Sequence, residues 1–563
     1  MPATAPPPAA QTVNVLRGMA EQEISRLLAG SRPWTWWLEH AARYGRHGFT
    51  NTVLIAAQWR FATDVRSYEE WRAAGRQVRR GETGIRIISR NGRSRAVFDI
   101  SQTDGLPVET ARVPPETAYE RLRQAAHGLG LRLDHETPAG RDALTALALR
   151  LGHRLLPSHT ASVAYLVLAH LGVPGSHLVF PEVRSWAEDT ASVVTTGDRI
   201  LRAARAVVDR LDLAESARSC LRNAHAFFLA QAPAGPVPAH LAQRGFPPDV
   251  LARWEIGYAP NSWRALTEHL RGLGHDDETI LGAGLARRGR GGALYDLFRD
   301  RAVFALRDGD GAIAGFIGRR LDGADGADGP KYLNSPESAI FRKGRLLYGL
   351  HETRDRLAGG ARPVIVEGPF DAVAVNIAAP GHAAVATCGS VVTAAQLEAL
   401  GVALRAFGAG RGTDADGPGV LLALDGDQAG RAAAIRAWDV LARVNAPVDV
   451  ALLPDGGDPA EVLRGRGPAA LREALASATP LADLVVDTAV ERAGGALRSP
   501  EERLAALRAS TALIARTAPV HVARQVGRVA RRLGLDHATV TSALVEAVTA
   551  PRGQEFPRPS GSS

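Results

Sequence analysis

The sequence predicts a multidomain α/β and α+β protein: a parallel α/β sheet as its core, an α+β N-terminal domain and a helical C-terminal region. Three observations predict it. The runs Arg362–Val366 and Gly419–Leu424 are apolar and stop abruptly at carboxylates, Glu367 in one case and Asp425 and Asp427 in the other. Apolar runs of this length, bounded by turn residues, read as strands buried on both faces of a parallel sheet. The first hundred residues mix tryptophans and arginines with short alternating runs, and the chain beyond residue 465 is rich in Ala, Leu and Arg. At 563 residues the chain is too long for a single core.

Composition narrows the function classes. Apolar residues make up 45%, enough for globular folding, and the net charge of +8 with a pI near 9.9 points to a polyanionic partner. Only Cys220 and Cys388 are cysteines. They exclude a disulfide scaffold and a Cys-rich zinc module, so no structural zinc is expected, and they fit a reducing, cytoplasmic setting. The start of the chain lacks the basic and apolar regions of a signal peptide, and no apolar run is long enough to span a bilayer.

After a tail at 1–12, expected to be disordered, residues 13–106 form the first unit. Trp34, Trp36, Trp37, Trp59 and Trp71 alternate there with Arg43, Arg46, Arg60, Arg72, Arg76, Arg79 and Arg80. Indole faces beside guanidinium groups stack unpaired bases and hold phosphates, which makes Trp59, Trp71, Arg76, Arg79 and Arg80 candidate contacts to single-stranded DNA. The alternative is that most of these tryptophans are core and the arginines a solvated face. The stretch from Tyr68 to Ile87, continued by Val97-Phe-Asp-Ile-Ser-Gln-Thr103 and preceded by Asn51–Gln58, resembles the N-terminal single-stranded-DNA-binding domain of ArdC-type antirestriction proteins. Residues 117–210 read as helical, and Ala161–Val167 with Trp186 is similar to the metallopeptidase region of those proteins. No His-Glu-x-x-His occurs, however, so His153, His159 and His170 read as ordinary helix residues.

Residues 213–352 carry an ordered series: Glu255-Ile-Gly-Tyr-Ala-Pro260, Phe298-Arg-Asp-Arg-Ala-Val-Phe304, Gly315-Phe-Ile-Gly-Arg319, Lys331-Tyr-Leu-Asn-Ser-Pro-Glu337 and Phe341-Arg-Lys-Gly-Arg345. This series is similar to the N-terminal subdomain of the DnaG-type primase catalytic core. Lys331 and Lys343 are the only lysines in the chain. A compact ammonium meets phosphate as a point charge, so both are expected to face a polyanion, either template or incoming triphosphate. Arg319, Tyr332, Asn334 and Arg345 join them as candidate nucleotide or template contacts. Asp322–Gly329 reads as a flexible acidic loop, and Arg287, Arg288 and Arg290 either track the template or are solvated.

Within 361–462, strands are expected at Pro363–Val366, Ala383–Ala386, Val420–Leu424 and Val448–Leu453, with helices near 370–378, 393–405 and 429–444. The segment Gly408–Gly419 reads as an insertion. Ligands of open α/β sheets sit beyond the carboxyl ends of the strands. Glu367, Asp425 and Asp427 would meet there and repel one another unless a cation binds, and hard oxygen ligands suit Mg²⁺ or Mn²⁺. Val366-Glu-Gly-Pro-Phe-Asp371 with Asp425-Gly-Asp-Gln-Ala-Gly-Arg431 resembles the TOPRIM domain, most closely that of DnaG-type primases. The resemblance adds Asp371 and Asp458 as metal-site acids and leaves Glu367 either a ligand or a general acid/base. It also shows a departure: the family's next acid falls at Ala460, with Glu461 as a possible substitute. Helices are expected at Leu481–Ala493, Pro500–Ala515, Val520–Leu533 and Ala538–Val548 within 466–549, similar to the family's helicase-docking segment. A disordered tail is expected at 550–563.

The resemblance implies a DNA primase of a plasmid, phage or other mobile element, joining ribonucleoside triphosphates on a single-stranded DNA template. A replicative helicase would dock through the C-terminal helices, and no membrane is involved. Two other classes share these residues: a TOPRIM nuclease, and a non-enzymatic single-stranded-DNA-binding antirestriction protein with a decayed primase half.

Overall fold

The computed structural model describes residues 9–549 except 45, 90, 106–114, 132–140, 176, 322–328, 390–391, 407–418, 443, 445, 495–496 and 518. Residues 1–8 and 550–563 and most of the expected acidic loop and insertion lie outside the described residues; residues 9–12, expected in the disordered tail, instead begin the helix Ala9–Leu28. The chain divides into two compact units, Met1–Glu215 and Ser216–Ser563. The helix Thr190–Gln231 runs unbroken through 210–213, where the sequence suggested a boundary.

In the first unit, helices Ala9–Leu28, Trp34–Tyr44 and Phe49–Gln58 precede an antiparallel sheet with strand order 65–66, 94–99, 85–88. The edge strand 85–88 is closed by side-chain amides. Asn51 exchanges two hydrogen bonds with Ile88, at 2.8 and 3.0 Å, and Gln58 two with Arg86, at 2.8 and 2.9 Å. Such pairing occupies backbone groups that would otherwise recruit another strand. Helices Pro115–Gly128, Arg141–Leu155 and Thr160–His170 follow. Trp34 lies 4.5 Å from Trp37 and 5.2 Å from Trp186, ring centre to ring centre, and Phe49 completes the aromatic core.

The second unit opens with an antiparallel sheet in the order 332–334, 313–320, 301–307, 257–259. A five-stranded sheet follows in the order 382–386, 362–366, 420–424, 448–452, 479–480. Its first four strands are parallel and the last is antiparallel. Burial on both faces explains why these four strands read as unbroken apolar runs. The two sheets share one core, in which Phe304 packs edge-on to Phe370 at 5.0 Å and Val237, Phe341, Val364 and Val366 are buried together. A two-way backbone pairing between Tyr348 and Ala386 fastens the subdomains further. That shared core places the strand bearing Lys331–Asn334 beside the carboxyl edge of the parallel sheet.

Helices Leu481–Gly494, Pro500–Ile514, Pro519–Leu533 and His537–Thr549 close the chain. Asp483, Asp487 and Glu491 recur every four residues, on one face of the first of these helices, and meet Arg524, Arg528 and Arg532, which recur likewise on the third. Asp483 is buried and accepts from Arg524, Gln525 and Arg528. The arginines stay partly exposed and Arg528 keeps Asp487, so Asp483→Ala should destabilise these helices by about 1 kcal/mol, read as earlier proteolysis within 481–549 on heating.

Candidate active site

Three neighbouring strands of the parallel sheet end at one edge, and each hands over to a helix whose first turn is tied to a carboxylate. The strand 362–366 leads through Glu367 and Gly368 to helix Pro369–Ala378, where the Asp371 carboxylate accepts the Gly368 N–H at 3.0 Å. The strand 420–424 leads through Asp425 to helix Gln428–Leu441, capped by Asp427, which accepts the Gly430 N–H at 2.7 Å. The strand 448–452 leads to helix Pro459–Ala476, capped by Asp458, which accepts the Glu461 N–H at 2.7 Å. Carboxylates at helix N-termini satisfy donors the helix leaves open and face the positive end of its dipole.

The glycines of the two acidic motifs have a steric reason. A Cβ on Gly426 would lie 1.8 Å from the Leu453 carbonyl oxygen, so only glycine lets the turns after the second and third strands approach. A Cβ on Gly368 would meet the Asp371 carboxylate at 2.9 Å and the Tyr332 hydroxyl at 3.1 Å.

The cluster is electrostatically frustrated. Burial pushes Asp425 up to about 6, and Glu367, Asp458, Asp427 and Glu461 push in the same direction. Glu367 is raised by burial and by Asp427 and Asp458, with Arg436 and Lys331 opposing. Asp371, wholly enclosed, is held well above the usual carboxylate range by burial and then by Asp458 and Asp425. Among the described residues no three His, Cys, Asp or Glu side chains close into a ready-made cation cage. Like charges without a counter-ion stand apart, and the donors here are all hard carboxylate oxygens, the set that suits Mg²⁺ or Mn²⁺. Asp371 has both oxygens engaged, by Gly368 and, at 3.4 Å, by the Ala460 N–H. It braces the cluster from behind. Ala460 itself is buried in the core, while Glu461 is exposed and adds its charge to Asp425.

Lys331 and the Arg319–Tyr332 pair reach the same edge, and Lys343 adjoins it through the backbone after Ala386. Lys331 is exposed and near enough to Glu367 to lower its pKa. Tyr332 pairs across the strands with Arg319, whose guanidinium lies 5.6 Å over its ring. Burial and the Asp371 charge push the Tyr332 hydroxyl up. Asn334 sits at the end of the same strand, opposite Ile317. The Lys343 ammonium donates to the Gly389 carbonyl at 3.4 Å, and Arg345 shares its turn. Two features escaped the sequence. Arg436, on the helix after Asp427, is a cation facing Glu367. Trp263 is 63% exposed with the Arg299 guanidinium 4.2 Å over its ring and Tyr295 at 5.6 Å. A cavity of about 270 Å³ lined by Arg253, Arg356 and Asn376 lies at the other end of helix Pro369–Ala378.

The first unit corrects one expectation. Trp71 is wholly buried and its Nε1 donates to the Phe98 carbonyl at 2.8 Å, so its ring cannot stack a base. Trp59 is half-buried against the cluster of Ile55 and Ala62. Arg76 is spent on Thr103 and Gly105, and Arg79 on Glu82 and Ser101. Arg80 is exposed. Tryptophan beside arginine here mostly records packing: Trp34 and Trp37 are buried too.

Residues 225–354 match the model of the DNA primase catalytic core N-terminal domain, and residues 364–463 match the Toprim-like model. Together they are a DnaG-type primase catalytic core. A DNA primase of Streptomyces coelicolor is 36% identical over 278 residues, 49% of this chain and 41% of that protein. One from Deinococcus radiodurans is 36% identical over 264 residues, 46% of this chain and 43% of that protein. The chain thus spans less than half the length of these relatives. A DNA primase domain from Pseudomonas aeruginosa superposes with a TM-score of 0.50 at 28% identity, covering 58% of this chain and 99% of that one.

The raised carboxyl of Asp425 has a stability consequence. The folded chain holds that proton more tightly than the unfolded chain, so the associated stability is present at low pH and is lost as pH rises from about 4 to about 6. In a chelating buffer at pH 7, Asp425→Asn should therefore stabilise the protein, on the order of 1 kcal/mol after solvent screening, seen as a raised calorimetric midpoint.

Proposed function

We propose that this chain is a DNA primase, joining ribonucleoside triphosphates on a single-stranded DNA template. The observation that carries the reading is the convergence of Glu367, Asp425, Asp427 and Asp458 from three parallel strands beside the strand bearing Lys331. In the reaction a 3′-hydroxyl oxygen attacks the α-phosphorus of the incoming triphosphate, the bond to the bridging oxygen breaks, and pyrophosphate leaves. Mg²⁺ or Mn²⁺ held by Asp425 and Asp427, with Asp458 in support, would supply charge neutralisation and hydroxyl activation. The protein's own part is positioning. Three helix N-termini fix the acids, and Lys331, Lys343 and Arg345 set positive charge where phosphate oxygens gather. Glu367, raised in pKa and flanked by Arg436, is suited to hold the departing hydroxyl proton. The template is assigned to the exposed Trp263–Arg299 pair, with Arg287, Arg288 and Arg290 beyond it, because an open indole under a guanidinium stacks bases without reading sequence.

The first unit, by its resemblance to ArdC-type domains, is assigned to single-stranded DNA and the whole chain to a mobile replication system. The C-terminal helices are assigned to a helicase. Incubation with single-stranded DNA, Mg²⁺ and labelled ribonucleotides should lengthen labelled chains. Shortened DNA would instead mean a nuclease. The double variant Asp425→Ala, Asp427→Ala should reduce synthesis to background with single-strand binding retained; synthesis surviving it would exclude this metal site.

A further inference from the structure

The turn Lys343–Arg345, which carries one of the two lysines, is not held by its own subdomain alone. Helix Ala394–Ala406 of the Toprim-like sheet begins with a reciprocal cap. The Thr393 hydroxyl accepts the Gln396 N–H at 3.1 Å, and the Gln396 side-chain oxygen accepts the Thr393 N–H at 3.0 Å. Both side chains then reach a second set of partners. The Gln396 amide donates to the Lys343 carbonyl at 3.3 Å and the Leu346 carbonyl at 2.9 Å, and the Thr393 hydroxyl donates to the Gly344 carbonyl. Three carbonyls of one short turn are thereby held by two residues about fifty positions away, and Gln396 is wholly buried. The Glu337 carboxylate takes the Lys343 N–H at 3.0 Å from the other side. So clasped, the turn sets the Lys343 ammonium against the Gly389 carbonyl. Gly389 directly follows Cys388, whose N–H donates to the Glu367 carbonyl at 2.9 Å.

We infer that Thr393 and Gln396 are positioning residues that hold the Lys343 ammonium beside the acidic edge for a phosphate of template or nucleotide. An ordinary cap needs only the reciprocal pair. A buried amide that also spends both its hydrogens on the carbonyls of a cationic turn fixes where that cation stands. A lysine stem otherwise has several rotatable bonds and loses much of its point-charge effect. The idea rests on the primase reading for its kinetic readout.

The test is a cycle on the full-length protein. Gln396→Leu removes the donor, and Gln396→Glu keeps the shape and the acceptor while losing the amide hydrogens. Each should raise KM roughly tenfold with kcat within about twofold. Titrating nucleotide at saturating template, and template at saturating nucleotide, assigns the phosphate to one source. Lys343→Gln should raise the same KM, and adding Gln396→Leu to it should change nothing further. Additive effects, or a fall in kcat alone, would overturn the inference. Should Gln396→Leu fold poorly, Thr393→Val against Thr393→Ser makes the same comparison, with serine expected to rescue. Hydrogen exchange at 343–346 should quicken in Gln396→Glu whether or not nucleotides are joined; unchanged exchange would overturn the clasp even if primer synthesis is absent.

Discussion

Like charges must be forced together for this edge of the sheet to exist, and three helix N-termini do the forcing. Asp427 and Asp458 each accept a backbone N–H from the first turn of the helix they cap, and Asp371 accepts the Gly368 N–H just before its own helix, so part of the repulsion at these three is offset locally before any cation arrives. Such contacts contribute about 1 kcal/mol each, against burial first and then neighbouring carboxylates that together push Asp425 up to about 6. The fold thus carries the acids in place but leaves them in deficit. The backbone placement of the acids is set in advance, and closing their side chains on a divalent ion would relieve the deficit.

The same economy shows in how the two halves of the core are joined. Phe304, Phe370 and Tyr348 glue the antiparallel sheet to the parallel one. Lys331, just before the strand 332–334, and the turn 343–345 then bring cations from one subdomain toward acids of the other.

Much of this was legible in the order of residues. The four parallel strands fall within one residue of their apolar runs, because strands buried on both faces need no alternation to be recognised. The C-terminal helices fall within about a residue of their expected ends at most positions, since Ser499 and Pro500 mark a start and Gly494 an end. The helix Pro459–Ala476 was missed where Gly467, at φ +80°, and Pro468 interrupt it, and the two-residue strand 479–480 is too short to carry a pattern. The acids were found because an apolar strand ending in Glu-Gly or Asp-Gly-Asp is specific. Trp71 misled because an indole beside arginines reads the same whether it faces solvent or the core. Gln396 and Arg436 were invisible: each matters through partners distant in sequence, and no local pattern announces that.

The pairing of two lysines with sixty-five arginines, out of 67 cationic side chains, has a practical corollary. Primary amines other than the N-terminus exist nowhere but around the acidic edge. An amine-selective acylating reagent is therefore an address label for this one neighbourhood, and on the unlabelled chain a lysine-specific protease would excise a single short peptide, Tyr332–Lys343, a cut that acylation blocks. The bias toward arginine leaves this acidic edge chemically singular.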